Sequence, residues 1–254
     1  MGANPADLFD VSGKIACVTG CSGGLGQAAA TALANAGAKV VGVARRADNL
    51  EEWSKDCEGQ TAWLASDLAA EDDLEEVAAQ ICWPFGPPDI LINAAGLNPR
   101  KHADEVTPQV WDQTLDINLK VPFFLAQAMV PAMAAKGWGR VINFASLQSR
   151  RAFLNGLAYG ASKGGVEQMT RAMAQAWSSK GVMVNALGPG FFPTELTQAV
   201  FDDPTRAAAN AAQTCIGRNG TLEDIHGPVL FLCSKASDYV TGQLLFVDGG
   251  FTAK

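Results

Sequence analysis

Short apolar runs rich in β-branched residues alternate with longer helical stretches along almost the whole chain. No other feature constrains the fold as tightly. Residues 14–19, 39–43, 90–92, 140–143, 182–186 and 244–247 read as strands, with a weaker one at 61–64. Residues 24–36, 72–81, 108–135, 158–179 and 221–233 read as helices. The strand runs are continuously apolar instead of alternating, the pattern of a sheet covered on both faces. Strands separated by helices imply right-handed crossovers and hence a parallel, doubly wound α/β sheet. Such a sheet binds its ligand at the carboxyl ends of the strands. The 254 residues contain no repeat, low-complexity tract or linker, so a single domain over 1–254 is expected.

Composition narrows the class further. Apolar residues make up 48% of the chain and charged residues 18%, ample for a sizeable core. A net charge of −7 with scattered Lys and Arg has the wrong sign for a surface that tracks nucleic acid. Residues 1–10 carry two acids, no Lys or Arg and no long apolar run, unlike a secretion signal. Gly2 follows Met1, but Ala6 stands where N-myristoylation favours Ser or Thr. The most apolar stretch, 121–135, is interrupted by Pro122 and Pro131 and is too short to span a bilayer. The six cysteines form no C-x-x-C pair, and neither His102 nor His226 lies near one, so no metal site is expected. These features point to a cytoplasmic protein with reduced, mostly buried thiols.

The first strand ends in Thr19-Gly20-Cys21-Ser22-Gly23-Gly24-Leu25-Gly26, where an Ala-rich helix begins. Glycine allows positive φ and a close backbone approach to a diphosphate, and the helix N-terminus offers free N–H groups to phosphate. The spacing T-G-x-x-x-G-x-G resembles the nucleotide loop of the short-chain dehydrogenase/reductase family, whose sheet is of Rossmann type. By that resemblance Gly20, Ser22, Gly24, Leu25 and Gly26 cradle a nicotinamide dinucleotide. The second strand closes with Ala44-Arg45-Arg46, about twenty residues beyond the loop. An acid at position 44 would bind the ribose hydroxyls of NAD(H). Alanine followed by two guanidinium groups favours the 2′-phosphate of NADP(H), with NAD(H) as the alternative. Asp67 and Leu68 resemble the family residues that contact adenine.

Tyr159 and Lys163 stand at i and i+4, on one face of a helix, so the ammonium should lower the phenol's pKa toward working pH. Ser146 follows an apolar strand thirteen residues earlier, and Asn118 is an amide on the apolar face of a long helix. Together they resemble the Asn-Ser-Tyr-Lys tetrad of the short-chain family. The resemblance implies that Ser146 polarises a carbonyl and Tyr159 transfers a proton. It assigns Lys163 to the nicotinamide ribose and Asn118 to a water in the proton path. Asn93-Ala94-Ala95-Gly96 resembles the family's N-N-A-G turn beside the adenosine ribose, with Ala94 in place of the second Asn. Gly188-Pro189-Gly190 and Phe192 follow the sixth strand, and Thr194 falls where the family binds the carboxamide. Gly188 adds conformational freedom to that lead-in.

Arg100, Gln148, Arg150, Arg151 and Asn155 lie on two loops expected at the pocket rim, and arginines there suit a carboxylate. Segments including Thr19-Gly20-Cys21, Phe123-Phe124 and Ala236-Ser237-Asp238-Tyr239-Val240 resemble the gluconate 5-dehydrogenase and 2-deoxy-gluconate dehydrogenase branch of the family. The resemblance therefore implies an NADP(H)-linked alcohol–ketone interconversion on a sugar acid, sugar or polyol. A 3-oxoacyl-thioester reductase and a non-catalytic nucleotide sensor are the alternatives. Residues 191–213 read as a substrate lid. Family likeness also implies a homotetramer built on the two longest helices and the last strand.

Overall fold

Seven parallel strands form one sheet in the order β3-β2-β1-β4-β5-β6-β7. They are β1 Ile15–Thr19, β2 Lys39–Ala44, β3 Thr61–Ala65, β4 Ile90–Asn93, β5 Gly139–Phe144, β6 Val182–Pro189 and β7 Leu244–Val247. The structure is a computed structural model that describes residues 4–70 and 73–254, so Met1, Gly2 and Asp72 lie outside the described residues. Every expected strand is present, and β1 pairs with both β2 and β4. The chain order therefore reverses between β1 and β4, and a crevice opens there at the carboxyl edge.

Helices cover both faces. On one, α1 (Gly24–Asn35) and α9 (His226–Cys233) bury Ala29, Leu33, Val229 and Leu232 against Val18, Ile92 and Ile142. On the other, α3 (Leu74–Ile81), α5 (Val121–Ala135) and α6 (Leu157–Trp177) bury Ile81, Leu125, Met133 and Met173 against Cys17, Leu91 and Val141. Burial from both sides is why the strands read as continuous apolar runs. The remaining helices are α2 (Ala47–Asp56), α4 (Pro108–Leu115), α7 (Gln198–Phe201) and α8 (Pro204–Gln213). Helix α2 has no counterpart in the sequence reading. It is mostly polar and docks through two buried residues, Leu50 and Trp53, with Trp53 Nε1 donating to Thr31 Oγ1 at 3.1 Å.

The stretch expected as one helix over 108–135 is α4, a π-helical turn at Asp116–Lys120, then α5. By length and composition this 28-residue run could cross a membrane. Leu125, Ala126, Met129, Val130 and Met133 instead face the core. The two prolines do not interrupt it. Pro122 stands in the first turn of α5, where its missing N–H is tolerated, and Pro131 is on the exposed face. Gly188 likewise corrects the reading of a loose lead-in. It lies inside β6, and a Cβ there would come within 2.8 Å of the Phe246 ring, so close packing requires the glycine.

Arg140 is the largest side chain buried from water, at 1% exposure, near the start of β5. Its guanidinium donates to Ser234 O at 3.0 and 3.2 Å, to Gly139 O at 2.9 Å and to Asp238, and lies over the Trp138 ring. Burial pushes its pKa down while Asp238 pulls it back. Replacement by leucine strands the buried carbonyls, so Arg140→Leu should cost about 3 kcal/mol in urea unfolding. Far from the crevice, it should leave nucleotide affinity unchanged.

Candidate active site

The turns after β1, β2, β4, β5 and β6 converge over the carboxyl edge and enclose one cleft of about 860 Å³. At its nucleotide end lie Gly20, Ser22, Gly24, Leu25 and Gly26 of the glycine turn, with Arg45 and Arg46 behind β2. Helix α1 starts against the end of β1 because Gly26 has no side chain: a Cβ there would fall 2.3 Å from Gly20 O. Arg46 reaches back over the turn, donating to Ser22 Oγ at 3.1 and 3.3 Å and to Ser22 O at 3.2 Å. A hydroxyl and a guanidinium thus share one corner, as a phosphate monoester requires. Arg45 is more exposed and sits 3.9 Å from Asp67, which lines the cleft with the buried Leu68.

Ala94, Ala95 and Gly96 line the cleft floor. The N–H groups of Ala94 and Ala95 both donate to Thr19 Oγ1 at 3.1 Å. Threonine thereby supplies the support that Ala94 lacks. Asn93 does not reach the cleft. Its amide turns into the core, donating to Asn143 Oδ1 at 2.9 Å and Pro122 O at 3.3 Å.

At the other end stand Ser146, Tyr159 and Lys163. Ser146 Oγ caps a short turn by accepting from Gln148 N at 3.1 Å, and lies close enough to Tyr159 to favour its phenolate. Lys163 is buried and donates from Nζ to Phe144 O at 2.6 Å, with Nζ 5.6 Å from the Tyr159 ring centre. Burial alone pushes Lys163 down to about 8. Burial also raises the Tyr159 pKa, while the Ser146 hydrogen bond and the Arg100 cation pull it back. The expectation that Lys163 would leave Tyr159 with a lowered pKa is therefore corrected, because desolvation of the phenolate outweighs these opposing influences.

Asn118 belongs with the site through the π-turn, which rotates it off the regular helical register. Its Oδ1 accepts from Leu97 N at 2.9 Å, and Nδ2 donates to Leu97 O and Ser162 Oγ, both at 3.0 Å. Both amide hydrogens are thus spent on protein partners. The side chain fixes the loop after β4 and ties it to α6.

Pro189, Gly190, Phe192 and Thr194 line the cleft as expected, and Thr194 Oγ1 lies 3.0 Å from Thr197 Oγ1. Of the rim candidates, Arg100, Gln148 and Asn155 line it too, with Arg100 and Asn155 at positive φ. Arg150 and Arg151 do not. Arg150 is held by Glu167 at 2.7 Å, and Arg151 lies over the Phe251 ring and donates to Lys254 O. The segment 191–213 covers the cleft with α7 and α8. Arg206, Ala209, Asn210 and Gln213, at i, i+3, i+4 and i+7 of α8, face it. Sequence reasoning missed these residues and Glu195; the helical spacing of Arg206, Asn210 and Gln213 on a helix otherwise rich in alanine was the available signal.

Comparison with known proteins decides the family. The family model described as enoyl-(acyl carrier protein) reductase matches residues 20–252. The 2-dehydro-3-deoxy-D-gluconate 5-dehydrogenase of Escherichia coli (strain K12) is 39% identical, over 97% of this chain and 98% of the relative. The gluconate 5-dehydrogenase of Gluconobacter oxydans (strain 621H) is 38% identical over 97% of each chain. The chain is a short-chain dehydrogenase/reductase. Among solved structures, a gluconate 5-dehydrogenase from Burkholderia cenocepacia J2315, in complex with NADP and tartrate, superposes with a TM-score of 0.93. It is 35% identical, and the match covers 99% of this chain and 100% of that one. The short-chain dehydrogenase/reductase assignment accounts for the sheet order, the glycine turn and the Ser146–Tyr159–Lys163 geometry together.

The buried lysine carries a pH signature. With Lys163 at about 8 instead of its ordinary 10.5, the unfolded chain holds an extra proton between those values. Stability from this group therefore rises with pH through that window. Between pH 7 and pH 10 the protein should gain on the order of 2 kcal/mol relative to its Lys163→Met variant in urea unfolding. A difference that stays flat would mean that the ammonium titrates normally.

Proposed function

We propose that this protein is an NADP(H)-dependent oxidoreductase that interconverts a secondary alcohol and a ketone on a sugar acid, in the manner of a gluconate 5-dehydrogenase. One observation carries the reading. A single cleft joins the Ser22–Arg46 corner at one end to the Tyr159–Ser146 pair, with Arg100 close enough to act on Tyr159, at the other. The names of the relatives and the NADP and tartrate bound in the Burkholderia structure support it. Arg100 and the Arg206–Asn210–Gln213 face offer a guanidinium for a carboxylate and amides for hydroxyls.

The residues present fit the cofactor: Gly20 to Gly26 admit the diphosphate, Arg46 and Ser22 take the 2′-phosphate, and Ala94 to Gly96 border the ribose. When bound, the nicotinamide gives or accepts the hydride. Ser146 donates a hydrogen bond to the substrate oxygen and Tyr159 Oη moves the proton to or from it. Lys163 holds positive charge beside the phenol, and Asn118 keeps the facing loop in place. In this reading the segment 191–213 closes over the substrate to exclude water. The chain acts in the cytoplasm, which suits its six free thiols. It assembles as a homotetramer through α5, α6 and β7, where Phe124, Leu157 and Leu245 are exposed.

The test is initial rates with gluconate and 5-ketogluconate, each with NADP(H) and NAD(H), plus acetoacetyl-CoA with NADPH. Turnover of the sugar acid with NADP(H) is expected. Faster reduction of the thioester would turn the reading toward a 3-oxoacyl-thioester reductase. Turnover with NAD(H) alone would overturn the cofactor.

Two variants sharpen this. Tyr159→Phe should lower kcat by about a thousandfold while NADPH binding persists. Persistence of the biological role in that variant would favour a nucleotide sensor. Arg100→Ala should raise KM for the sugar acid about tenfold with a smaller change in kcat, since a lost carboxylate contact acts mainly on binding. An unchanged KM would remove Arg100 from substrate recognition.

A further inference from the structure

Two adjacent residues at the start of the lid are held from opposite walls of the cleft. Glu195 Oε1 accepts from Arg46 Nη1 at 2.6 Å, and Leu196 O accepts from Arg100 Nη2 at 2.7 Å. The Glu195 carboxylate also lies 3.5 Å from where a Cβ on Gly23 would sit, so it rests against the glycine turn itself. The other N–H groups of Arg46 that find partners, on Nε and Nη2, all go to Ser22. Nη1 is therefore the corner of the guanidinium that an incoming anion would take, and a lid carboxylate already holds it.

A carboxylate and a phosphate monoester seek the same guanidinium edge. They carry like charge and cannot share it at hydrogen-bond distance. The Arg46–Glu195 pair is half exposed, at 45% and 67%, so it is weak enough to be exchanged.

We propose that Glu195 is a cofactor-selectivity residue: it competes with the 2′-phosphate for Arg46, so that phosphorylated cofactor displaces the Glu195 carboxylate and unphosphorylated cofactor leaves the pair intact. The proposal rests on the NADP(H) reading above. It differs from that reading in assigning a role to the lid acid, not to the arginine. Glu195 lowers affinity for NADP(H) by a competition that NAD(H), lacking the 2′-phosphate, does not face.

Isothermal titration of the full chain with 2′,5′-ADP and with 5′-AMP isolates the 2′-phosphate without turnover. The proteins are the wild type, Arg46→Ala, Glu195→Gln and Asp202→Asn. The last removes the same charge from the same segment outside the cleft lining. The wild type should prefer 2′,5′-ADP, and Arg46→Ala should erase the preference. Glu195→Gln should tighten 2′,5′-ADP about two- to fivefold, the size of a half-exposed ion pair, and leave 5′-AMP unchanged. Asp202→Asn should do neither. If Glu195→Gln changes nothing, shifts both ligands equally or is matched by Asp202→Asn, the competition is overturned while the NADP(H) reading stands. If the wild type shows no preference and Arg46→Ala has no effect, that reading fails first and the proposal goes with it.

Discussion

Two backbone N–H groups of the turn after β4 converge on one hydroxyl, Thr19 Oγ1, at the end of β1. That convergence lies where the sheet order reverses, and the rest of the cleft is built outward from it. It holds Ala94 and Ala95 down as a floor, so Gly96 comes close to Asn118 and Lys163. It also fixes the point from which the glycine turn rises into α1. Gly20 completes the contact, since a Cβ there would meet Ala95 N at 2.8 Å. A hydroxyl and two hydrogens of glycine therefore position a nucleotide end and a chemical end with respect to each other.

At the Tyr159 end of the cleft, burial works against charge. Burial raises the Tyr159 pKa and lowers that of Lys163, and each shift disfavours the charged form. Only Ser146 and Arg100 oppose the shift on the tyrosine. Arg100 also donates to the backbone of the 191–213 segment at Leu196 O. The cation that acts on Tyr159 is thus tied to the segment that covers the cleft. In the proposed function an anionic substrate would approach that same guanidinium, so binding and proton transfer meet on one side chain.

The strands themselves, the helices on both faces and the Ser146–Tyr159–Lys163 trio were legible because each leaves a strong local trace. Continuous β-branched runs mark doubly covered strands, and Y-x-x-x-K marks one helix face. Helix α2 left little trace: only Leu50 and Trp53 are buried, and propensity alone does not separate such a helix from a polar loop. The π-turn at Asn118 was equally silent, because one residue of extra winding changes no composition. It was noticed only as an amide in an apolar setting, and its consequence, an inward-turned side chain bonded to Leu97 and Ser162, required coordinates.

The arginines show the limit most clearly. Arg100, Arg150 and Arg151 look alike in sequence: cations on loops that follow strands at the carboxyl edge. What separates them is the nearest competing partner. Arg150 is captured by Glu167, which also binds Arg171, and Arg151 by the C-terminal Phe251 and Lys254. Those partners lie seventeen to about a hundred residues away, beyond any local pattern. Arg46 follows the same logic. Its neighbour in sequence predicts a phosphate corner, but Glu195, 149 residues on, decides what that corner holds before a ligand arrives. A basic residue in a cleft is a candidate binding group only to the extent that the protein's own acids and carbonyls leave it one, and here Glu195 supplies the rival.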